Sequence, residues 1–334
     1  MAVAPIHIGG ERLEVPVALA PMAGITDRPF RRLAARLGAP YVVSEMVASR
    51  EMLASRPLSA IRLQTDQNEA LAAVQLAGCE AEWMAEAARR VEGGGARILD
   101  INMGCPAKKV TNGYSGSALM RDPDKALALV EATVEAVSIP VTLKMRLGWD
   151  ESSMNAPQIA RLAEAAGVQM LVVHGRTRSQ FYKGVADWRA VRAVVEAVTI
   201  PVLVNGDITG ADAARAALAQ SGAAGVMIGR GTQGAPWLAG QIADNLQGLA
   251  PRSSPVGEDL RALVVEHYEG LLSCYGTAIG LRSARKHFGW YLHGRAGGAA
   301  LRAQLVRCED PAAVIAALGA YDWPAPGPDL ADAA

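Results

Sequence analysis

The sequence predicts an α/β fold: a (β/α)8 TIM barrel over residues 1–248, a small C-terminal helical domain over 256–320, and a tail over 321–334. Three observations predict it. Short β-branched runs alternate with Ala-rich helical stretches, and strands separated by helices pair in parallel because a parallel connection needs a crossover. The runs are continuously apolar, as strands covered on both faces are. Eight such units in about 245 residues match the count and length of a closed eightfold barrel.

In chain order the strands fall at VALAP (17–21), YVVSE (41–45), AAVQL (72–76), ILDIN (98–102), VTLKM (141–145), LVVHG (171–175), PVLVNG (201–206) and GVMIGR (225–230). Residues 81–96 and 124–137 read as amphipathic helices between them. Ser138-Ile139-Pro140 and Thr199-Ile200-Pro201 repeat one helix-to-strand connection. No GxGxxG turn follows the first strand, which weakens the alternative of a doubly wound sheet. Residues 249–255 carry two prolines and two serines and read as a linker. Beyond them 258–318 shows helical periodicity only, and the Pro-rich tail is expected to fray.

Of the 334 residues 51% are hydrophobic and 20% charged, which excludes a disordered chain. Aromatics are only 5%, so the core must be built from Ala, Val, Leu and Ile. The 33 basic and 33 acidic residues balance, so nucleic acid or membrane could be met only by a local patch. Cys79, Cys105, Cys274 and Cys308 form no CxxC pair, and no metal site or disulfide framework is readable from them. The N-terminus MAVAPIHIGG lacks the basic and apolar regions of a signal peptide. No run approaches the roughly 18 apolar residues of a membrane span. A cytoplasmic protein with reduced thiols is expected.

In such barrels chemistry sits at the C-terminal ends of the strands. Those ends carry Pro21-Met22-Ala23, Glu45, Gln75, Asn102, Lys144, His174, Asn205-Gly206-Asp207 and Gly229-Arg230-Gly231, one set per strand. Any one polar group there can be a paired core residue. Their convergence on one rim predicts a site. The last two loops are glycine-rich and lie where barrels often hold a phosphate. Glycine lets backbone N–H groups approach an anion, and Arg230 adds forked donors. Gln75 and Asn102 offer donors and acceptors suited to a heterocycle edge. Lys144 could stabilise an anion on the ligand's ring or pair with Glu45 or Asp100, and the sequence leaves both open.

From Ile98 to Val141 the strand starts are 43 residues apart, against no more than 31 elsewhere. The excess falls in a loop over 103–121, which predicts a lid. Cys105 sits at its base. A lone Cys is more often a small buried hydrophobe, the fate expected of the other three. On a loop above the rim it can instead be a proton donor, since ordinary thiols titrate near about 8.5 and are mostly protonated at neutral pH. A nucleophilic thiolate would need a histidine partner, and His174 is the one candidate on the rim.

These segments resemble the tRNA-dihydrouridine synthases. APMAGITDRPFR (20–31), DINMGCPAKKV (100–110), HGRTR (174–178), NGDI (205–208) and MIGRG (227–231) carry the likeness, closest to the bacterial synthase B subgroup. ARKHFGWYL (284–292) extends it into the helical domain. The resemblance implies FMN in the barrel, with Pro21, Met22, Ala23, Gln75 and Lys144 around the isoalloxazine and His174 close by. Asn205, Gly206, Asp207, Gly229 and Arg230 would hold its phosphate end. It further implies that NADPH reduces the FMN, that a hydride passes to C6 of a uridine in the tRNA D-loop, and that Cys105 protonates C5. Asn102 would position the uracil.

A neutral chain can still meet tRNA locally. Gly270 to Cys308 contains no Asp or Glu but includes Arg282, Arg285 and Lys286. Lys108 and Lys109 on the lid, with Arg176 and Arg178 after strand six, extend this expected surface to the site. The enzyme is expected to act as a monomer. Two rival readings stand beside it: an FMN barrel reducing a free pyrimidine, which would not need the basic helices, and a regulatory or RNA-chaperone protein that keeps the barrel but does no chemistry.

Overall fold

The computed structural model describes residues 3–54, 61, 64 and 71–325. Its sheet contains β3 (Val17–Leu19), β4 (Tyr41–Val43), β6 (Leu71–Ala77), β7 (Ile98–Met103), β8 (Val141–Arg146), β9 (Met170–His174), β10 (Val202–Asn205) and β11 (Gly225–Ile228), all paired in parallel. The order β4-β3-β11-β10-β9-β8-β7-β6 closes on itself through a β4–β6 pairing, so the barrel is complete. All eight predicted strands are present. A two-residue strand, β5 (Val47–Ala48), adds to the outer part of β6.

The sequence reading did not include the N-terminal hairpin of β1 (Ile6–Ile8) and β2 (Glu11–Leu13), antiparallel about Gly9-Gly10. Its buried Ile6, Ile8 and Leu13 join the barrel's interior cluster with Tyr41, Leu71, Ile98, Met170 and Leu203. That plugs the barrel with hydrocarbon at one end, while its polar inward positions lie at the other. Because side chains alternate along a strand, Gln75, Asp100, Asn102, Lys144, His174 and Asn205 share the interior at the C-terminal ends.

The repeated Ser/Thr-Ile-Pro turns have one physical cause. Glu92 Oε1 accepts from Ser138 N, Ser138 Oγ and Ile139 N at 2.8, 2.6 and 3.2 Å. Glu164 Oε1 accepts the same three bonds from Thr199 and Ile200, at 2.7, 2.6 and 3.0 Å. Each carboxylate at the end of one helix thus staples the turn of the next unit. The Ser138 and Thr199 hydroxyl bonds hold both carboxyls below their ordinary value.

The helical domain begins with Gly257–Tyr291, broken at Gly276, whose φ of +72° departs from helical geometry. The two halves fold back on each other through His267 against His287 and Tyr268 against Phe288. Gly298–Leu305 and Pro311–Gly319 complete the domain, and its core takes in Leu33 and Trp237 from the barrel. The tail does not fray where the sequence suggested. Trp323 is buried and donates to Leu318 O at 3.0 Å, so Tyr321–Ala325 belongs to the domain. The rest of the expected tail lies outside the described residues.

Buried neutral histidines give this core a pH signature. Burial pushes His267 down to about 3 and His287 well below the ordinary range. Both gain protons on unfolding below the ordinary histidine value of about 6.5, so their stabilisation is full above it and is lost as pH falls. Each contributes a slope of about 1.4 kcal/mol per pH unit there. Replacing both with Gln should therefore flatten the fall in stability between pH 6 and 5 by about two proton equivalents, measured by denaturant titration at each pH. An unchanged slope would show that these rings are not held neutral.

Candidate active site

The site starts from one buried carboxylate. Asp100, inward on β7, accepts from Thr142 Oγ1 and Gln75 Nε2, both at 2.6 Å. A carboxylate only accepts, so it fixes the Gln75 amide with its oxygen turned to Asn102, whose Nδ2 donates to it at 2.7 Å. Asn102 Oδ1 is thereby aimed at the next loop, where it accepts from Gly104 N and Cys105 N at 3.2 and 3.0 Å. Burial raises the Asp100 carboxyl, against the Thr142 and Gln75 bonds and the Lys144 charge. This chain holds the base of the predicted lid in register with the barrel floor.

Lys144 Nζ donates to Asn205 Oδ1 at 3.0 Å, and Asn205 Nδ2 donates to Met227 O. Neither ion pair considered from the sequence is formed as a contact. Burial, then repulsion from Arg146, lowers the Lys144 amine to about 8. Beside it, His174 is buried and its Nε2 lies 3.3 Å from Arg176 Nη1. Arginine can only donate, so Nε2 accepts and Nδ1 carries the proton. Burial and the surrounding cations Lys144, Arg146, Arg176 and Arg230 push its pKa well below the ordinary range. His174 is a neutral ring.

Asp207 has a φ of +53° and turns its carboxylate inward to Arg176, at 2.9 and 2.6 Å, to Arg230 at 3.0 Å and to Ala186 N at 2.8 Å. Burial would raise this carboxyl, but those bonds and charges outweigh it and hold it low. Arg176 itself is 1% exposed. It is a structural counter-ion and not a surface charge, which corrects its expected role at the RNA surface. Arg230 is half exposed and stands over the Tyr182 ring.

The predicted lid contains a short helix, Lys108–Thr111, and a 3-10 turn, Gly116–Arg121. Ser117 Oγ donates to Cys105 O at 2.8 Å. Arg146, absent from the sequence reading, donates to Gly104 O, Thr177 O and Phe181 O at 2.7, 2.8 and 2.9 Å. It ties the thiol loop to the loop after β9. Burial lowers its guanidinium to about 10. Arg178 lies over Trp149 and Phe181 and reaches Thr111 Oγ1 at 3.4 Å, so it braces the lid. Lys108 is exposed on the lid, and the Lys109 side chain lies outside the described residues.

Pro21, Met22, Ala23, Gln75, Asn102, Cys105, Lys144, His174, Asn205, Gly206, Asp207, Gly229 and Arg230 line one cavity of about 1040 Å³. The catalytic and cofactor positions expected from sequence are all there. Arg146, Phe181, Tyr182, Trp290 and His293 line it too, and sequence reasoning missed their part in it. Arg146 had a signal: it lies two residues after Lys144, on the same face of β8. Trp290 and His293 bring the helical domain into the wall. Small-molecule cavities span roughly 300–1,000 Å³, so this one has room for a cofactor and a second ring.

The dihydrouridine synthase family model matches residues 18–321. The chain belongs to the dihydrouridine synthase family. A Rhodobacter capsulatus protein named probable tRNA-dihydrouridine synthase is 61% identical over 312 residues, 93% of this chain and 96% of the relative. One from Pseudomonas putida, named tRNA-dihydrouridine synthase B, is 45% identical over 316 residues, covering 95% of this chain and 94% of the other. Among solved structures, a 6-hydroxypseudooxynicotine amine oxidase from Pseudomonas geniculata aligns with a TM-score of 0.56 at 16% identity, over 74% of this chain and half of that one. That likeness shows the barrel fold alone. As a dihydrouridine synthase family member the chain is an enzyme, and several of the segments whose sequence resembles the family line this cavity. Among the described residues no group of ligands could hold a metal ion, and no helix is long and apolar enough to cross a membrane.

Proposed function

We propose that the enzyme reduces uridine to 5,6-dihydrouridine in the D-loop of tRNA, with FMN in the rim cavity and NADPH as reductant. The observation that carries the reading is that the Cys105 loop and the buried Lys144 line the same cavity. The residues present fit a flavin mononucleotide. Among the described residues Lys144 has one hydrogen-bond partner, leaving donors for an electron-rich ring. A Cβ at Gly229 would meet nothing closer than Ala20 and Met22 at 3.7 Å, so the glycine keeps open the space where a phosphate end would lie. Arg230 provides the charge there and Asp207 orients it; the Asp207 carboxylate, being an acceptor, is not itself a phosphate ligand.

When bound, the flavin supplies the hydride for uracil C6. Cys105 supplies the proton for C5, its backbone fixed by Asn102 and Ser117 and its loop by Arg146. Neutral His174 presents Nδ1–H without adding charge to a cavity already holding Lys144 and Arg146. Pro21, Met22 and Ala23 form an apolar wall, and Gln75, with its amide fixed by Asp100, offers a set of donors and acceptors of known orientation. Asn102 retains one N–H for the uracil. A target base must leave its stack to enter such a cavity.

The RNA surface draws on exposed Lys108 and Arg282 and half-buried Arg285, with Arg178 acting through the lid it braces. A tRNA substrate agrees with a cytoplasmic enzyme. Charge reversal at Lys108 and Arg282 together should weaken tRNA binding by about tenfold or more and reduce its salt dependence, as expected for lost phosphate contacts. Binding is followed by filter retention over a salt series. Unchanged affinity and slope would move the RNA surface elsewhere.

A further inference from the structure

Lys286 differs from the other basic residues of its helix. It is half-buried, and its Nζ lies 2.9 Å from where a Cβ on Gly24 would stand. Gly24, at φ +72°, belongs to the turn after β3 and donates its N–H to Glu45 Oε1 at 2.5 Å. The turn is closed internally: Met22 N donates to Thr26 Oγ1 at 2.7 Å, and Ile25 N and Thr26 N donate to Met22 O at 2.9 and 3.0 Å. Pro21, Met22, Ala23 and Ile25 form part of the cavity wall.

Two buried carboxylates flank this turn. Glu45 is 2% exposed, and so is Asp27, which caps the helix Arg28–Arg36 by accepting from Phe30 N at 3.1 Å. Buried charge is costly unless it is compensated. On the barrel side the compensation is Arg31, which donates to Thr26 O at 2.9 Å. Lys286 brings the other cation across from the helical domain. The coupling shows in both partners: burial and the Glu45 charge raise Asp27 to about 7, opposed first by the Phe30 N–H bond and then by Arg31 and Lys286, and burial lowers Lys286, opposed by Asp27 and Glu45.

We propose that Lys286 is a positioning residue of the active site: its ammonium, in the field of Asp27 and Glu45, pins the Pro21–Thr26 turn to the helical domain and so fixes one wall of the cofactor cavity. This replaces the RNA-contact role expected of Lys286 from sequence. It also makes the helix that carries Arg282 and Arg285 mechanically continuous with the cavity. Only the last step, from wall to cofactor, rests on the flavin reading.

The test is hydrogen–deuterium exchange of the full chain, without and with FMN, for wild type, Lys286→Met and Lys286→Arg. Loss of this cation beside the turn predicts exchange over 20–27 about tenfold faster in Lys286→Met, with β7 unchanged. Lys286→Arg should restore it to within about threefold, and FMN should bind Lys286→Met about tenfold more weakly. Unchanged exchange over 20–27, or unchanged FMN affinity despite faster exchange, overturns the proposal. Should Lys286→Met exchange faster everywhere, Glu45→Gln decides, since it keeps an acceptor for Gly24 N and removes the charge. Local loosening in that variant supports the latch, and none refutes it. If the wild type binds no FMN while the exchange pattern holds, the latch stands and the flavin reading falls.

Discussion

Cys105→Ala should bind FMN and be reduced by NADPH as the wild type is, yet lose tRNA reduction by about 10²- to 10⁴-fold, the usual contribution of a positioned general acid. The separation follows from the structure. Cys105 lines the cavity from the lid loop, whereas the groups proposed to face the FMN come from β6, β8 and β9 and from the ends of β3, β10 and β11. The loop's shape is carried by main chain: Asn102 Oδ1 accepts from Cys105 N, and Ser117 Oγ donates to Cys105 O. Removing the sulfur leaves those bonds in place. Single-turnover mixing of the pre-reduced variant with tRNA reads the chemical step directly. Persistence of the fast phase would remove Cys105 from the reaction.

Lys144→Met should behave in the opposite way from an ordinary core substitution. Burial lowers the Lys144 amine to about 8, so the folded state holds that charge at a cost, and a Met of similar volume should leave the melting temperature unchanged or higher. Flavin reduction by NADPH should fall by about 10²- to 10³-fold, because the cation proposed to face the ring's developing negative charge is gone. The pH dependence has a definite sign. Lys144 is charged below about 8, so wild-type flavin reduction should slow as pH rises through that value, and Lys144→Met should lack this limb. Anaerobic stopped-flow absorbance across pH measures both. A destabilised variant with unimpaired reduction would make Lys144 a structural residue.

The eight strands were legible because each is a continuous apolar run bounded by turn chemistry, and the rim followed from what ends each run. The hairpin Ile6–Leu13 was not, since its two strands of three residues each carry a polar side chain outward, at His7 and Arg12. Among the candidate residues, sequence assigned types well and directions poorly. Arg176 reads as a surface cation because nothing in the chain reveals that Asp207, 31 residues away, receives it, and Lys286 because nothing reveals that its Nζ comes up against the Gly24 turn. Arg178 likewise spends its guanidinium on Trp149, Phe181 and the lid. Arg146 was findable from strand periodicity alone. Trp290 and His293 were not, because their place in the cavity wall depends on how the helical domain docks.

Nucleoside mass spectrometry of unmodified tRNA incubated with the full chain, FMN and NADPH, with free uridine as the parallel substrate, decides whether the enzyme reduces uridine in tRNA. Uridine from tRNA should gain the mass of two hydrogens and the free nucleoside none, with the gain absent for Cys105→Ala. A gain on free uridine alone, or on neither substrate, would contradict it.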